Sequence, residues 1–254
     1  MRRAVCAALA LCLVLSGCGA AEEGPEARAE REFSDVVEKA AAAIERVRRD
    51  ELSHVTQPFE PRDAYDTSDI DISEAELEYL EAVGDYIVES MPEGLSAYDK
   101  YRYLGYVLSL CAEYDYYVHE DRLNETPWGA LMEGRAICLG YTNTMLWLCE
   151  KADLRCSAIS GYASWNGEEH GWNLAWLDGT PCWIDTTWGD PVFTGGDDSQ
   201  GPAYEYFGLT TDDLLRTHTI DDKVPVPDCT SNSNNYFFRN GLYFSAYDPD
   251  ALTA

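Results

Sequence analysis

The sequence has few basic residues, lacks paired metal-binding motifs, and contains no apolar run long enough to cross a membrane. Its 254 residues include 18 Lys and Arg against 46 Asp and Glu, for a formal charge of −28. Because phosphate binding depends on Lys and Arg, this balance argues against a nucleic-acid partner. The absence of Cys-x-x-Cys and of closely spaced histidine pairs argues against a structural zinc site. We therefore predict no metal and no cofactor.

The N-terminal segment begins with basic residues and then becomes apolar. Arg2 and Arg3 precede an apolar run over residues 4–15. A membrane-spanning helix needs roughly 20 apolar residues, so this shorter run suits a signal peptide. The run ends in Leu15-Ser16-Gly17-Cys18, which resembles the lipobox of bacterial lipoproteins. That resemblance implies cleavage before Cys18, lipidation of its thiol and an extracytoplasmic protein anchored in the cell membrane. A plain secretory signal is the alternative.

The chain divides into four predicted segments. Residues 1–17 form the signal peptide, and residues 18–69 form a lipid-anchored tether with an accessory helix at 27–50. Residues 70–245 form the folded domain, and residues 246–254 form a C-terminal tail. The accessory helix is predicted because its apolar residues recur at helical spacing and it lacks Gly and Pro.

Within the domain, helical periodicity gives way to alternation typical of strands. Ser73 with Glu76, and Ser96 with Asp99, mark the starts of two helices, and another helix is predicted over residues 138–152. Strands are predicted at 156–162, 170–177 and 182–186, then a short helix near 212–215, then strands near 236–238 and 242–244. Helices followed by an antiparallel sheet indicate an α+β domain.

Cys138 falls at the predicted start of a helix. Unpaired N–H groups and the positive end of the helix dipole stabilise a thiolate at such a position. A thiolate is the nucleophile that acyl transfer requires, and the same N–H groups could hold an oxyanion. From this position alone, a structural cysteine is the alternative.

Two strands bring a histidine and an aspartate together in the prediction. A two-residue turn at Asp178-Gly179 would place His170 opposite Thr187, one diagonal step from Asp185 on the same sheet face. Diagonal neighbours lie about 7–8 Å apart, within side-chain reach. An imidazole held by a carboxylate and facing a thiol is the arrangement of a Cys-His-Asp enzyme. A buried His–Asp pair beside an unrelated cysteine is the alternative.

Three segments around these residues resemble the motifs of the transglutaminase-like superfamily. They are Gly134-Arg135-Ala136-Ile137-Cys138-Leu139-Gly140-Tyr141, His170-Gly171-Trp172-Asn173 and Asp185-Thr186-Thr187-Trp188-Gly189-Asp190-Pro191. Gly171 stands where the family usually has alanine, and Gly189 stands where an acid is common. The resemblance covers approximately residues 70–245. It implies a papain-like, transglutaminase-like core with helices packed on an antiparallel sheet and the nucleophile at a helix N-terminus.

The resemblance also implies roles for individual residues. Cys138 would be the nucleophile, His170 the base and then the acid, and Asp185 the residue that orients the imidazole. Trp188 would pack beside the site. Trp128, ten residues before Cys138, is a candidate for the oxyanion site.

The remaining candidate residues have weaker signals. Trp172 could border a substrate groove or pack in the core. Three histidines lack a partner in any motif, and we predict solvated or capping roles for His54, His119 and His218. After the predicted cleavage, five cysteines remain besides Cys18 and Cys138, an odd number that cannot all pair within the chain: Cys111, Cys149, Cys156, Cys182 and Cys229.

The leading functional hypothesis is an extracytoplasmic thiol enzyme acting on protein or peptide substrates at the cell surface. Cys138 would attack an amide or peptide carbonyl to form a thioester, which water or an amine would then resolve. Hydrolysis is the slight preference because water needs no acceptor site. The alternatives are a catalytically silent scaffold lipoprotein and a cell-wall peptide or glycan binder that relies on exposed tryptophans.

Overall fold

The computed structural model describes residues 62–117, 119–190, 203–221 and 225–242. The predicted signal peptide, Cys18, His54, the accessory helix at 27–50 and the C-terminal tail lie outside these residues. Within the part that is described, no helix is both long and apolar enough to cross a membrane. The four-segment division of the chain stays a prediction.

Three helices form the first half of the domain, and all three begin where the sequence predicts. They are α1 (Glu74–Glu89), α2 (Ala97–Cys111) and α3 (Cys138–Lys151). At α1 the Ser73 hydroxyl accepts from the Glu76 N–H while the Glu76 carboxylate accepts from the Ser73 N–H. At α2 the Ser96 hydroxyl accepts from the Asp99 N–H. These side chains satisfy backbone donors that helix starts leave unpaired, so both predicted starts are confirmed.

Helix α3 is the centre of the domain. Every residue from Cys138 to Cys149 is buried, because the helix packs against α1 and α2 on one side and the sheet on the other. A helix covered on all sides has little need for a polar face. The predicted range of 138–152 matches the observed one, so the sequence located this element correctly.

Five antiparallel strands make the main sheet, in the order β6-β5-β4-β3-β7. They are β3 (Cys156–Ala163), β4 (Glu169–Leu177), β5 (Thr180–Ile184), β6 (Phe207–Leu209) and β7 (His218–Ile220). A separate parallel pair joins β1 (Glu113–Tyr114) to β2 (Arg135–Ala136). Together with the helices, this sheet confirms the predicted α+β class.

The turn between β4 and β5 fixes their register as the sequence predicts. Asp178 and Gly179 have φ values of 48° and 82°, the conformation that two-residue hairpin turns require, and Leu177 pairs with Thr180. The ladder stops at Asn173 and Ile184. The predicted pairing of His170 with Thr187 is therefore wrong, and so is the extension of β5 beyond Ile184.

The side chain of Asp185 explains why β5 ends early. Its Oδ1 accepts from the N–H of Thr187 at 2.9 Å and from that of Trp188 at 3.1 Å. A carboxylate that binds its own following backbone favours a turn over a strand. Asp185 therefore closes β5 and begins the segment that carries Trp188.

The C-terminal part of the described chain differs most from the prediction. Residues 236–238 belong to a short helix, α5 (Tyr236–Arg239), because Asn235 Oδ1 accepts from the N–H groups of Phe237 and Phe238 and caps a helical turn. The strand predicted near 242–244 lies almost entirely outside the described residues. The short helix predicted near 212–215 is confirmed as α4 (Thr211–Leu214).

Apolar side chains fill both faces of the sheet. The larger cluster lies between the sheet and α1–α3. A smaller one covers the opposite face and is composed of Ile159, Trp172, Leu174, Trp183, Leu209, Leu214 and Cys229. Covering both faces keeps the central strand β4 away from water along almost its whole length.

Candidate active site

Cys138 is the first residue of α3, and a tight backbone contact holds it there. Ile137 precedes the helix in extended conformation, and its N–H donates to the carbonyl of Asn124 at 2.9 Å. Gly140 makes this approach possible, since a Cβ at that position would lie 2.2 Å from the same carbonyl oxygen. The thiol sits beside the open N–H groups of the first helical turn, as the sequence predicts.

His170 and Asp185 form a direct, buried pair. His170 Nε2 lies 2.7 Å from Asp185 Oδ2, and both side chains are almost fully removed from solvent. The thiol of Cys138 lies near the same imidazole and contributes to the rise of its pKa. Because Nε2 faces the carboxylate, the nitrogen that remains for the thiol is Nδ1. The structure therefore brings all three predicted catalytic residues together.

Asp185 accepts four hydrogen bonds. Two come from the backbone N–H groups of Thr187 and Trp188 to Oδ1. The other two reach Oδ2, from His170 at 2.7 Å and from His218 at 3.1 Å. An ionised carboxylate offers about four acceptor positions, so every one of them is used within the protein.

These contacts shift the proton affinities of the pair. Burial by itself would raise the pKa of Asp185, but the charge of His170 and the hydrogen bonds from both histidines hold it well below its usual range. Burial would likewise lower the pKa of His170, whereas Asp185 and Cys138 together raise it to about 10. Both directions favour the carboxylate–imidazolium form of the pair.

Aromatic rings enclose this imidazole. Trp188 stacks on His170 with centroids 5.1 Å apart and an interplanar angle of 27°, which matches the prediction that it packs beside the site. Trp172 lies 5.8 Å from the His170 ring and is fully buried in the smaller cluster. Of its two predicted roles, core packing is therefore the observed one, because a buried ring cannot border an open groove.

Trp128 lies in the larger apolar cluster, at the start of the helical turn Gly129–Glu133. Its predicted part in an oxyanion site stays a prediction. Trp165, at the tip of the β3–β4 hairpin, is 75% exposed. It is the tryptophan that a ligand in solution can reach most easily among the described residues.

His218 is the functional residue that sequence reasoning missed. We predicted a solvated or capping role for it, and that is wrong, because the side chain is fully buried and its Nε2 faces Asp185 Oδ2. Gly161 of β3 admits the short strand β7 that carries it, since a Cβ there would lie 2.1 Å from the carbonyl oxygen of Thr219. A three-residue strand gives too little alternation for detection.

His119 also differs from its predicted role. Its Nε2 lies 2.7 Å from Asp115 Oδ2, so it belongs to a carboxylate pair rather than to a helix cap. Arg135 and Asn124 also contact Asp115. The loop before Cys138 is thus braced by a second His–Asp pair.

His170, Asp185 and His218 could together offer three ligand atoms to a metal ion. One nitrogen or oxygen from each lies within 4.8 Å of the others, and imidazole with carboxylate suits a transition metal. The hydrogen bonds of 2.7 and 3.1 Å already account for this convergence. The present arrangement fits proton sharing better, because both imidazoles direct Nε2 to the same carboxylate oxygen.

The remaining cysteines differ from Cys138 in their surroundings. Four of the other five described cysteines are buried free thiols, and Cys111 is partly buried. Burial raises the pKa of Cys229 to about 11 and moves those of Cys149 and Cys182 upward as well. A buried apolar thiol is unreactive, so these side chains serve as packing groups.

Comparison with known proteins gives partial matches among solved structures. The protein is similar to a TGase, with 16% identity and a TM-score of 0.41, over 48% of this chain and 35% of that one. It is also similar to a proposed cysteine protease from Cytophaga hutchinsonii, with 14% identity and a TM-score of 0.36, over 50% of this chain and 48% of that one. A scan against protein-family models finds no match, and a search of curated proteins finds none.

These neighbours are transglutaminase-like and cysteine protease-like proteins, and the chain spans about a third to a half of their length. Identities of this size and TM-scores below 0.5 say nothing about activity. What the chain itself contains is a buried His-Asp-His cluster next to a cysteine at a helix start.

Proposed function

We propose that the protein is a transglutaminase-like thiol enzyme that acts on amide or peptide carbonyls through Cys138, His170 and Asp185. One observation carries the proposal: a buried His170–Asp185 pair of 2.7 Å whose imidazole lies near a thiol at a helix start. Such a pair has little structural purpose on its own, because burying ionised groups costs several kcal/mol per ion. The cost is understandable where the pair activates a nucleophile.

The reaction begins with a thiolate. A ring whose pKa is raised to about 10 keeps the proton that Cys138 releases, so the attacking group is the sulfur of a thiolate–imidazolium pair. The sulfur adds to the substrate carbonyl carbon, and the carbonyl oxygen becomes an oxyanion. Backbone N–H groups at the start of α3 are placed to donate to it.

The second half returns the proton. His170 donates its proton to the leaving nitrogen, the C–N bond breaks and an amine departs, which leaves a thioester on Cys138. Water or a second amine then attacks the thioester while His170 accepts a proton, and the thiol is regenerated. Asp185 holds the ring by Nε2 throughout, so that Nδ1 stays directed at the sulfur.

The place of action and the partners belong to the same proposal. The lipobox-like Leu15-Ser16-Gly17-Cys18 supports export and a lipid anchor on Cys18, with protein or peptide substrates at the cell surface. The acidic composition supports the absence of a nucleic-acid partner. A catalytically silent scaffold is the competing hypothesis, and it predicts that the thiol of Cys138 has the reactivity of an ordinary cysteine.

Selective alkylation separates the two. We expect iodoacetamide at pH 6 to modify Cys138 about 10-fold to 100-fold faster than Cys111, because a free cysteine is almost entirely protonated at that pH. Cys111 is the matched comparison, since its thiol is only partly buried. Peptide mass spectrometry of wild type, Cys138→Ser and Cys111→Ser proteins identifies the modified residue. Equal rates at the two cysteines would support the scaffold.

A further inference from the structure

His218 is a fully buried histidine that no motif in the sequence identifies. It lies on β7, with its ring centroid 5.4 Å from that of His170, and no part of the mechanism above uses it. Its Nε2 lies 3.1 Å from Asp185 Oδ2, and its Nδ1 lies 2.9 Å from Thr217 Oγ1. We propose that His218 is a positioning residue: as a neutral imidazole it donates to Asp185 and fixes how that carboxylate holds His170. The inference rests on the proposed function.

The protonation of His218 follows from its two neighbours. A carboxylate can only accept, so His218 must carry a hydrogen on Nε2. The Thr217 hydroxyl has two possible acceptors, His218 Nδ1 at 2.9 Å and the carbonyl of Leu214 at 3.4 Å. Because the contact with Nδ1 is the shorter one, the Thr217 hydroxyl donates to Nδ1. Nδ1 is then an acceptor and carries no hydrogen of its own. A second imidazolium on one carboxylate oxygen would also repel that of His170.

The surroundings of Thr217 and His218 hold this arrangement in place. Burial raises the pKa of Tyr206, and its contact with Thr217 opposes that rise. Packing also holds the His218 ring, which lies 4.4 Å from that of Trp188 and 4.8 Å from that of Trp172.

The effect on His170 is electrostatic. A donor on Oδ2 disperses part of the negative charge that His170 would otherwise receive in full. It also closes the last acceptor position of Asp185, so the carboxylate cannot tilt away from the imidazole. The titratable groups that face this carboxylate are His170 on β4, His218 on β7, Tyr206 before β6 and Tyr114 on β1.

The test follows iodoacetamide alkylation of Cys138 across pH. The His218→Phe variant keeps the ring packing but has no donor. We expect the alkaline limb of its rate profile, where His170 loses its proton, to move to higher pH by about half a unit. His218→Gln places an amide N–H the same number of bonds from Cβ, so we expect it to return the limb toward wild type. His119→Gln, at the other His–Asp pair, is the matched control and should leave the limb in place.

Two further measurements keep the inference testable. If His218→Phe fails to fold, Thr217→Val removes only the hydroxyl, and we expect a smaller shift of the limb. Nitrogen-15 NMR of the imidazoles should show His218 neutral and protonated on Nε2, a result that does not depend on catalysis. Identical profiles for wild type, His218→Phe and Thr217→Val, or stoichiometric zinc that is lost on His218→Gln substitution, would overturn the inference. Unselective alkylation of wild-type Cys138 would instead refute the proposed function.

Discussion

Among the described residues, His170 and His119 each form a short pair with an aspartate, and the surroundings of the two pairs differ. His170 and His119 each place Nε2 at 2.7 Å from a carboxylate oxygen. The His170 pair is buried, enclosed by aromatic rings and next to a thiol. The His119 side chain is 27% exposed, and its aspartate is shared with Arg135. Hydrogen-bond geometry alone therefore does not distinguish the proposed active site; burial and the neighbouring thiol do.

The charge around each carboxylate explains the difference. Asp185 receives two backbone N–H groups and two imidazoles, all held within the core. Asp115 instead has a permanent cation 3.6 Å away, from Arg135. A guanidinium neutralises a carboxylate at every accessible pH, so Asp115 does not need a charged imidazole. Its pair braces the loop before Cys138, whereas the Asp185 pair is arranged to stabilise a proton on His170.

Replacing the histidine of each pair in turn should show the largest difference between the two pairs. We expect His170→Gln to lower the iodoacetamide rate of Cys138 at pH 6 by about 100-fold, because the thiolate loses its cationic partner. The same substitution at His119 should change that rate by less than about twofold. The measurement is a second-order rate constant from peptide mass spectrometry. Equal losses in both variants would mean that the two pairs do not differ in function.

The dependence of the free energy of unfolding on pH should distinguish the two pairs by a smaller effect. The pKa of His170 rises from 6.5 to about 10 on folding. A raised pKa stabilises the fold fully below pH 6.5, and that contribution is lost as pH rises through 10. We therefore expect the free energy of unfolding of wild type to fall between these limits relative to that of His170→Gln.

Urea titrations at pH 6.5, 8 and 10 can measure this decline. The His119→Gln protein should keep the wild-type dependence, since its His170 is intact. A parallel course of wild type and His170→Gln over the whole interval would show that His170 does not carry the raised proton affinity.

Much of the fold follows from local sequence signals. Ser73 with Glu76 sets the start of α1, and the Asp178-Gly179 turn sets the register of β4 and β5. These features depend on a few adjacent residues, whose chemistry is legible without the rest of the chain. The same turn predicts that His170 and Asp185 lie close together, although the ladder ends at Asn173 and Ile184, before either residue.

The unpredicted features depend on distant residues. His218 reaches Asp185 because β7 pairs with β3 across Gly161, a contact between segments far apart in sequence. The early end of β5 depends on a side chain that binds its own backbone. Tyr236–Arg239 forms a helical turn because Asn235 caps it, although its aromatic residues favour strands. Periodicity does not record any of these.

Trapping the acyl-enzyme is the direct test of whether Cys138 forms a thioester with its substrate. The purified domain would be incubated with peptides from cell-surface extracts, quenched in acid and digested, and the modified residue located by mass spectrometry. We expect an acyl group in thioester linkage to Cys138, present in wild type, absent from Cys138→Ala and released by hydroxylamine. An acyl group on another residue, or none on Cys138 while amide bonds are still cleaved, would contradict it.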